Sequence, residues 1–138
     1  MHHREYGGAM NSQYDDLLCH LDDLGTLLTD AKFATIDNHK ISFDYLSYSF
    51  ESKHHAVIFD NLLALKVRFE TQVFSEQSAY FDIIIDFYGR IYPIGELAPV
   101  RAISRLHSYD VGGYFDRIVG SFLESSDFYH EEGKVSDE

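Results

Sequence analysis

Residues 63–92 read Leu63-Ala-Leu-Lys-Val-Arg-Phe-Glu-Thr-Gln-Val-Phe-Ser-Glu-Gln-Ser-Ala-Tyr-Phe-Asp-Ile-Ile-Ile-Asp-Phe-Tyr-Gly-Arg-Ile-Tyr92. Two alternating runs lie in this stretch. Leu63, Leu65, Val67, Phe69, Thr71 and Val73 share one side of an extended chain, and Lys66, Arg68, Glu70 and Gln72 share the other. After Phe74-Ser75-Glu76-Gln77-Ser78 the alternation resumes: Ala79, Phe81, Ile83, Ile85, Phe87 and Ile91 point one way. Tyr80, Asp82, Ile84, Asp86, Tyr88, Arg90 and Tyr92 point the other. Period two over this length specifies strands. A hairpin closing near residues 75–76 puts both apolar sets on one face. It also brings Lys66 and Arg68 toward Asp82 and Asp86, where opposite charges support the pairing. Gly89 marks an expected bulge near the strand end.

Strand character extends back to residue 32, with dense Phe, Tyr, Ile and Val and no proline before Pro93. Ile41, Phe43 and Tyr45 alternate with polar residues, and the phase then shifts to Leu46, Tyr48 and Phe50. That shift predicts a bulge or bend near residue 45. Ala56-Val57-Ile58-Phe59 is a short apolar run between His54-His55 and the turn signal Asp60-Asn61.

Helices flank the strands. Asn11 or Ser12 is a suitable cap, with Asp15 and Asp16 in the first turns. Leu17, Leu18, Leu21, Leu24 and Leu28 form one stripe, opposed by Asp15, Asp16, Asp22 and Asp23, with Cys19 among the aspartates. Gly25 is a weak point, so the helix is expected to fray or end between it and Asp30. Near the other end, Pro99 suits a first helical turn and Leu97, Val100, Ile103 and Leu106 recur every three residues. Gly112-Gly113 is expected to break that helix before a second stripe of Tyr114, Phe115, Ile118, Val119, Phe122 and Leu123. The expected fold is α+β: an antiparallel sheet of four or five strands, one N-terminal helix and two C-terminal helices covering one sheet face. Residues 1–11 read as a disordered leader, 12–126 as a single domain, and 127–138 as a frayed acidic tail.

The chain of 138 residues carries 23 acids against 11 bases, a formal charge of −12. Residues 12–30 hold five acids and no base, and residues 124–138 hold six acids against Lys134, so ten of the twelve net charges lie in two end segments. Such a surface repels nucleic acid and anionic membranes and steers basic partners. No apolar run reaches membrane-spanning length and no signal peptide is visible. The single Cys19 has no internal disulfide partner, which fits a reducing, cytoplasmic setting.

Chemistry-bearing motifs are sparse. His54 and His55 are adjacent and point to opposite faces of a strand; Cys19-His20 has no second cysteine at finger spacing; His2-His3 lie in the leader. No metal or cofactor is therefore expected. No nucleophile elbow or phosphate loop occurs, and Cys19 lies on an acidic helix face rather than in the electropositive setting a cysteine nucleophile needs. Asp82 and Asp86 are four apart on one strand, too distant for a paired-carboxylate mechanism.

The remaining signal is a binding surface: Tyr80, Asp82, Asp86, Tyr88, Arg90 and Tyr92 on the even-numbered sheet face, and Asp15, Asp16, Asp22 and Asp23 on the first helix. The expected function is non-enzymatic occlusion of a basic protein surface, of the toxin-immunity or phage-inhibitor type, with a homodimer admitted. In outline, Ile41-Ser42-Phe43-Asp44 and the hairpin ending Ile85-Asp86-Phe87-Tyr88-Gly89 before two helices resemble SecB-type export chaperones. The helix–sheet–helix order and acidity are similar to type III secretion chaperones. Both resemblances cover layout only and imply, as an alternative, a chaperone holding an unfolded client. A second alternative is a small enzyme or ligand-binding domain with a pocket between sheet and helices, containing Tyr80 or His107.

Overall fold

The computed structural model describes residues 2–74, 77–93 and 102–124, with side-chain surroundings for 12–72, 79–93 and 102–124. Helix α1 (His2–Asp30) leads into β1 (Thr35–Asp37), β2 (Lys40–Tyr45), β3 (Tyr48–Phe59), β4 (Leu62–Phe74), β5 (Gln77–Ile85) and β6 (Ile91–Pro93). A 3₁₀ turn (Ile103–Arg105) precedes helix α2 (Ser108–Leu123). The six strands form one antiparallel sheet in sequence order. The α+β class is as expected; the described residues form six strands rather than four or five, and among them one regular helix follows the sheet.

The β4–β5 hairpin forms the centre, with Leu65 opposite Ile85, Val67 opposite Ile83 and Phe69 opposite Phe81. The register shifts between Gln72 and Phe74, and Phe74 then pairs with Gln77. Both helices cover the face that carries these residues. Leu17, Leu21, Leu24 and Leu28 of α1 and Val111, Phe115 and Val119 of α2 are fully buried against Ile41, Leu65, Val67, Phe69, Ile83 and Ile85. Each such leucine contributes about 1.5–3 kcal/mol by leaving water. Rings knit the layer: Phe43 stacks on Phe50 at 4.9 Å, Phe69 on Phe81 at 5.0 Å, and Phe115 meets Phe69 edge-on at 5.7 Å.

The turns explain several departures from expectation. Asn38-His39 and Asp60-Asn61 all have left-handed φ, the signature of two-residue hairpins with matched twist, and Asp60-Asn61 is the turn expected between apolar runs. The phase shift near residue 45 is a hairpin, not a bulge: Tyr45 pairs with Tyr48 across Leu46-Ser47, with Leu46 at φ 56°. His54-His55 and Ala56–Phe59 belong to one long strand. Gly89, at φ 81°, lies in the Asp86–Arg90 turn rather than in a bulge, with the His20 ring over it.

Helix α1 begins at His2, so Asn11 and Ser12 lie inside it, and the segment expected as a leader is helical backbone. It also runs past Gly25 to Asp30. Gly25 is buried and faces Ile36, whose Cβ would lie 2.8 Å from any added Cβ, so the glycine permits close approach of helix to strand instead of ending the helix. The helix stops where Lys32 turns left-handed, letting its N–H reach Thr29 O and the Phe33 N–H reach Leu28 O. Gly112-Gly113, expected as a break, are interior to α2. A Cβ at Gly112 would come within 2.9 Å of the Ala31 Cβ, so Gly112 also serves close packing, whereas Gly113 faces open space. Leu97, Pro99 and Val100 of the other expected C-terminal helix lie outside the described residues, as does the tail 127–138; Ile103 falls in the 3₁₀ turn and Leu106 just after it. No described helix is long and apolar enough to cross a membrane.

Candidate functional site

The sheet face turned away from the helices carries the even-numbered residues of β4 and β5. Arg68 and Asp82 are directly opposed, and two parallel hydrogen bonds join them: Nε to Oδ1 at 2.8 Å and Nη2 to Oδ2 at 3.0 Å. Lys66 Nζ lies 3.6 Å from the same carboxylate. The hydrogen bond to Asp82 raises the Arg68 pKa above its already high value, with burial opposing. The Arg68 guanidinium also covers the Tyr80 ring at 3.7 Å, a cation–π contact. Pairing of Asp82 with Lys66 and Arg68 is thus as expected.

Asp86 differs. It was expected beside Lys66 and Arg68, but the chain reverses immediately after it and the carboxylate closes its own turn. Oδ1 accepts the backbone N–H of Tyr88 at 3.0 Å and of Arg90 at 2.9 Å. Oδ2 accepts from Arg90 Nε at 2.6 Å and from Tyr92 Oη at 3.1 Å. Four donors converge on a carboxylate that is almost wholly buried. The side-chain bond to Asp86 raises the Arg90 pKa, and burial followed by the Asp86 bond raises that of Tyr92. Both aspartates therefore spend their acceptor capacity inside the fold. What this surface offers outward is chiefly Tyr80 and Tyr88, each about half exposed, with Arg90 5.1 Å over the Tyr88 ring. Between them Ile84, Ala64 and Tyr92 form a small second cluster with Val57 and Phe59, the Phe59 and Tyr92 rings 4.7 Å apart. Tyr92 is buried there and is not a surface anchor.

The acidic stripe occupies the opposite side of the molecule. Asp15, Asp16 and Asp23 are exposed on α1, opposite the leucines that face the sheet. Among the described residues no base pairs with these three. Asp22 is different: its Oδ1 lies 2.8 Å from His39 Nδ1 in the β1–β2 turn. The His39 ring meets His54 edge-on at 6.3 Å. Burial foremost, then the neighbouring His39, lowers the His54 pKa, with Asp22 offsetting part of it. This Asp22–His39–His54 group joins α1, a turn and β3. Sequence spacing gave no direct sign of it, although Asn38-His39 between two alternating runs is a turn signal of the same kind as Asp60-Asn61.

The two sets of expected contact residues thus lie on opposite sides of the sheet, and one flat partner surface cannot touch both. Among the described residues no group of three histidine, cysteine or carboxylate side chains is arranged to hold a metal, and Cys19 is an exposed free thiol. An open groove of about 900 Å³ runs between the end of α1 and α2, lined by Lys32, Phe33, Leu106, Tyr109, Asp116 and Arg117 among others. Its lining includes neither Tyr80 nor His107. No protein-family model matches the chain, and neither a curated protein nor a solved structure matches it.

Proposed function

We propose that this protein is a non-enzymatic binding module that occludes a basic surface on a protein partner, of the toxin-immunity or phage-inhibitor type, acting in the cytoplasm. The supporting observation is the contrast between its carboxylates. Asp82 and Asp86 are matched by arginines and a lysine within the fold, whereas Asp15, Asp16 and Asp23 project from α1 with no described base beside them. A helix anchored by four buried leucines presents these charges without backbone ordering on binding. The contact is assigned to α1; the tyrosine face lies on the far side of the sheet and is no part of it.

The test starts with affinity capture from the source cells, followed by mass spectrometry. For the captured partner, replacing Asp15, Asp16, Asp22 and Asp23 together by asparagine is expected to weaken binding and flatten its salt dependence, with the circular dichroism spectrum unchanged. Alanines at Tyr80 and Tyr88 are expected to leave affinity intact. An unaltered affinity in the asparagine variant sinks the proposal and reduces the stripe to a solubility face.

A further inference from the structure

Strands β2 and β3 pair from Tyr45 with Tyr48 to Ser42 with Glu51, and there the register ends. Beyond it the Ile41 N–H donates to the Ser52 hydroxyl at 2.8 Å. Among the described residues no backbone hydrogen bond joins the Asn38-His39 turn to β3. Continued by three residues, the same register sets His39 opposite His54, and the two rings do meet there, edge-on with centroids 6.3 Å apart. Side chains therefore hold the turn where the ladder stops.

The holding groups are few. His39 Nδ1 lies 2.8 Å from Asp22 Oδ1 on α1, and the two side chains are 38% and 42% exposed. The Lys40–Glu51 pair beside them is more exposed still, and such pairs contribute little. Ile36 packs on Gly25, which seats β1 on the helix. His54 is the half-buried member of the group. It is faced by Asp22 from α1, by His39 from the turn and by its neighbour His55 on β3, and β4 brings the uncharged Val67 opposite it. Lys53, one residue away, is paired with Glu70. One carboxylate is thus set against two imidazoles. A proton on His39 is matched by Asp22 at contact distance. A second proton, on His54, has no carboxylate left to itself and meets the His39 cation across the border. Burial first, then His39, holds the His54 pKa below its ordinary value, with Asp22 offsetting part of the effect.

We propose that Asp22, His39 and His54 form an acid-released latch: near neutral pH they hold the β1–β2 turn against β3, and when both imidazoles carry a proton the turn parts from β3 while staying on α1. The closed arrangement takes up the His54 proton less readily than an open one in which that ring reaches water, so falling pH favours the open one. His39 keeps Asp22 and remains with the helix. Ile41 and Phe43 stay buried in the core, so the opening is a local event, distinct from unfolding of the sheet. The device does not depend on the partner assigned to α1.

Native-state amide exchange of the full chain, followed by NMR from about pH 7.5 to about pH 5, spans the ordinary histidine range. After correction for the intrinsic rate, exchange at Ile41 is expected to rise several-fold as the pH falls. That rise is expected to be insensitive to low concentrations of urea, because little surface is exposed. Val67 and Ile83, in the centre of the sheet, are expected to keep the steep urea dependence of global unfolding. His54→Gln, with no second proton to take, is expected to leave Ile41 exchange flat with pH. His39→Gln is expected to move the opening to lower pH, because Asp22 is then free to match His54. Unchanged Ile41 exchange in the wild-type chain overturns the proposal. So does a rise at Ile41 that shares the urea dependence of Val67 and Ile83, or one that persists in His54→Gln. An opening pH unmoved in His39→Gln overturns it as well.

Discussion

Arg68 and Asp82 face each other across the β4–β5 ladder, joined by two parallel hydrogen bonds, and the same guanidinium lies 3.7 Å from the centre of the Tyr80 ring. The pair is lopsided in exposure: the Asp82 side chain is 7% exposed and that of Arg68 32%. Removing the arginine strands a buried anion with only Lys66 at 3.6 Å; removing the aspartate leaves two cations that reach water. Arg68→Ala is therefore expected to cost about 3 kcal/mol and Asp82→Ala about half of that. Urea unfolding of both variants checks the order. A larger loss for Asp82→Ala would show that the buried carboxylate is not the group that dominates.

Asp86 organises the turn between β5 and β6. Asp86→Ala orphans two backbone N–H groups, the Arg90 guanidinium and the Tyr92 hydroxyl, and is expected to lose about 3 kcal/mol. Asp86→Asn keeps an acceptor for the two backbone donors and is expected to lose less. Thermal unfolding of the pair reads the difference.

The fold should weaken on mild acidification through His54. Its pKa is pushed below the ordinary value by burial and by His39, with His55 adding a little and Asp22 opposing. The unfolded chain therefore takes up the proton first. Stability is fully present above about pH 6.5 and is lost as pH falls from there toward the depressed folded value. His54→Gln is expected to flatten this part of the profile; an unchanged slope would assign it to other groups.

Alkaline conditions should act through Tyr92. Burial and the Asp86 carboxylate hold its hydroxyl protonated to higher pH than in the unfolded chain. Its contribution is complete below about pH 10 and is lost as pH climbs through the raised folded value. Tyr92→Phe is expected to reduce the alkaline loss, measured by denaturant titrations at successive pH values.

Gly25→Ala separates propensity from packing. Helix propensity alone favours alanine by about 1 kcal/mol. The new methyl would crowd the Ile36 side chain, with its Cβ only 2.8 Å away, so the net expectation is a loss of about 1–3 kcal/mol. Gly25→Ala combined with Ile36→Ala is expected to lose less than the sum of the two single changes in a double-mutant cycle.

Much of the fold was legible because period two and period 3.6 are local properties. The runs around Val67 and Ile85, the leucine stripe of α1 and the Asp60-Asn61 turn are each written in a few neighbouring residues. The glycines misled because their reason is not local. Gly25 and Gly112 look like helix breakers until Ile36 and Ala31 are seen against them. The shift at residue 45 was ambiguous because Leu46-Ser47 lacks the usual turn residues, although Leu46 adopts the left-handed conformation anyway.

The pairing of the two alternating runs around Val67 and Ile85, their shared apolar face and the negative charge of α1 follow from the amino-acid sequence by itself, because period-two alternation on either side of a turn puts both apolar sets on one face. Only the tertiary structure decided the partners of the charges. Asp86 turns to Arg90 because the chain reverses there, and His39 reaches Asp22 because a turn carries it to α1. Where one strand outruns its neighbour depends on where both ladders stop, which neither strand encodes alone.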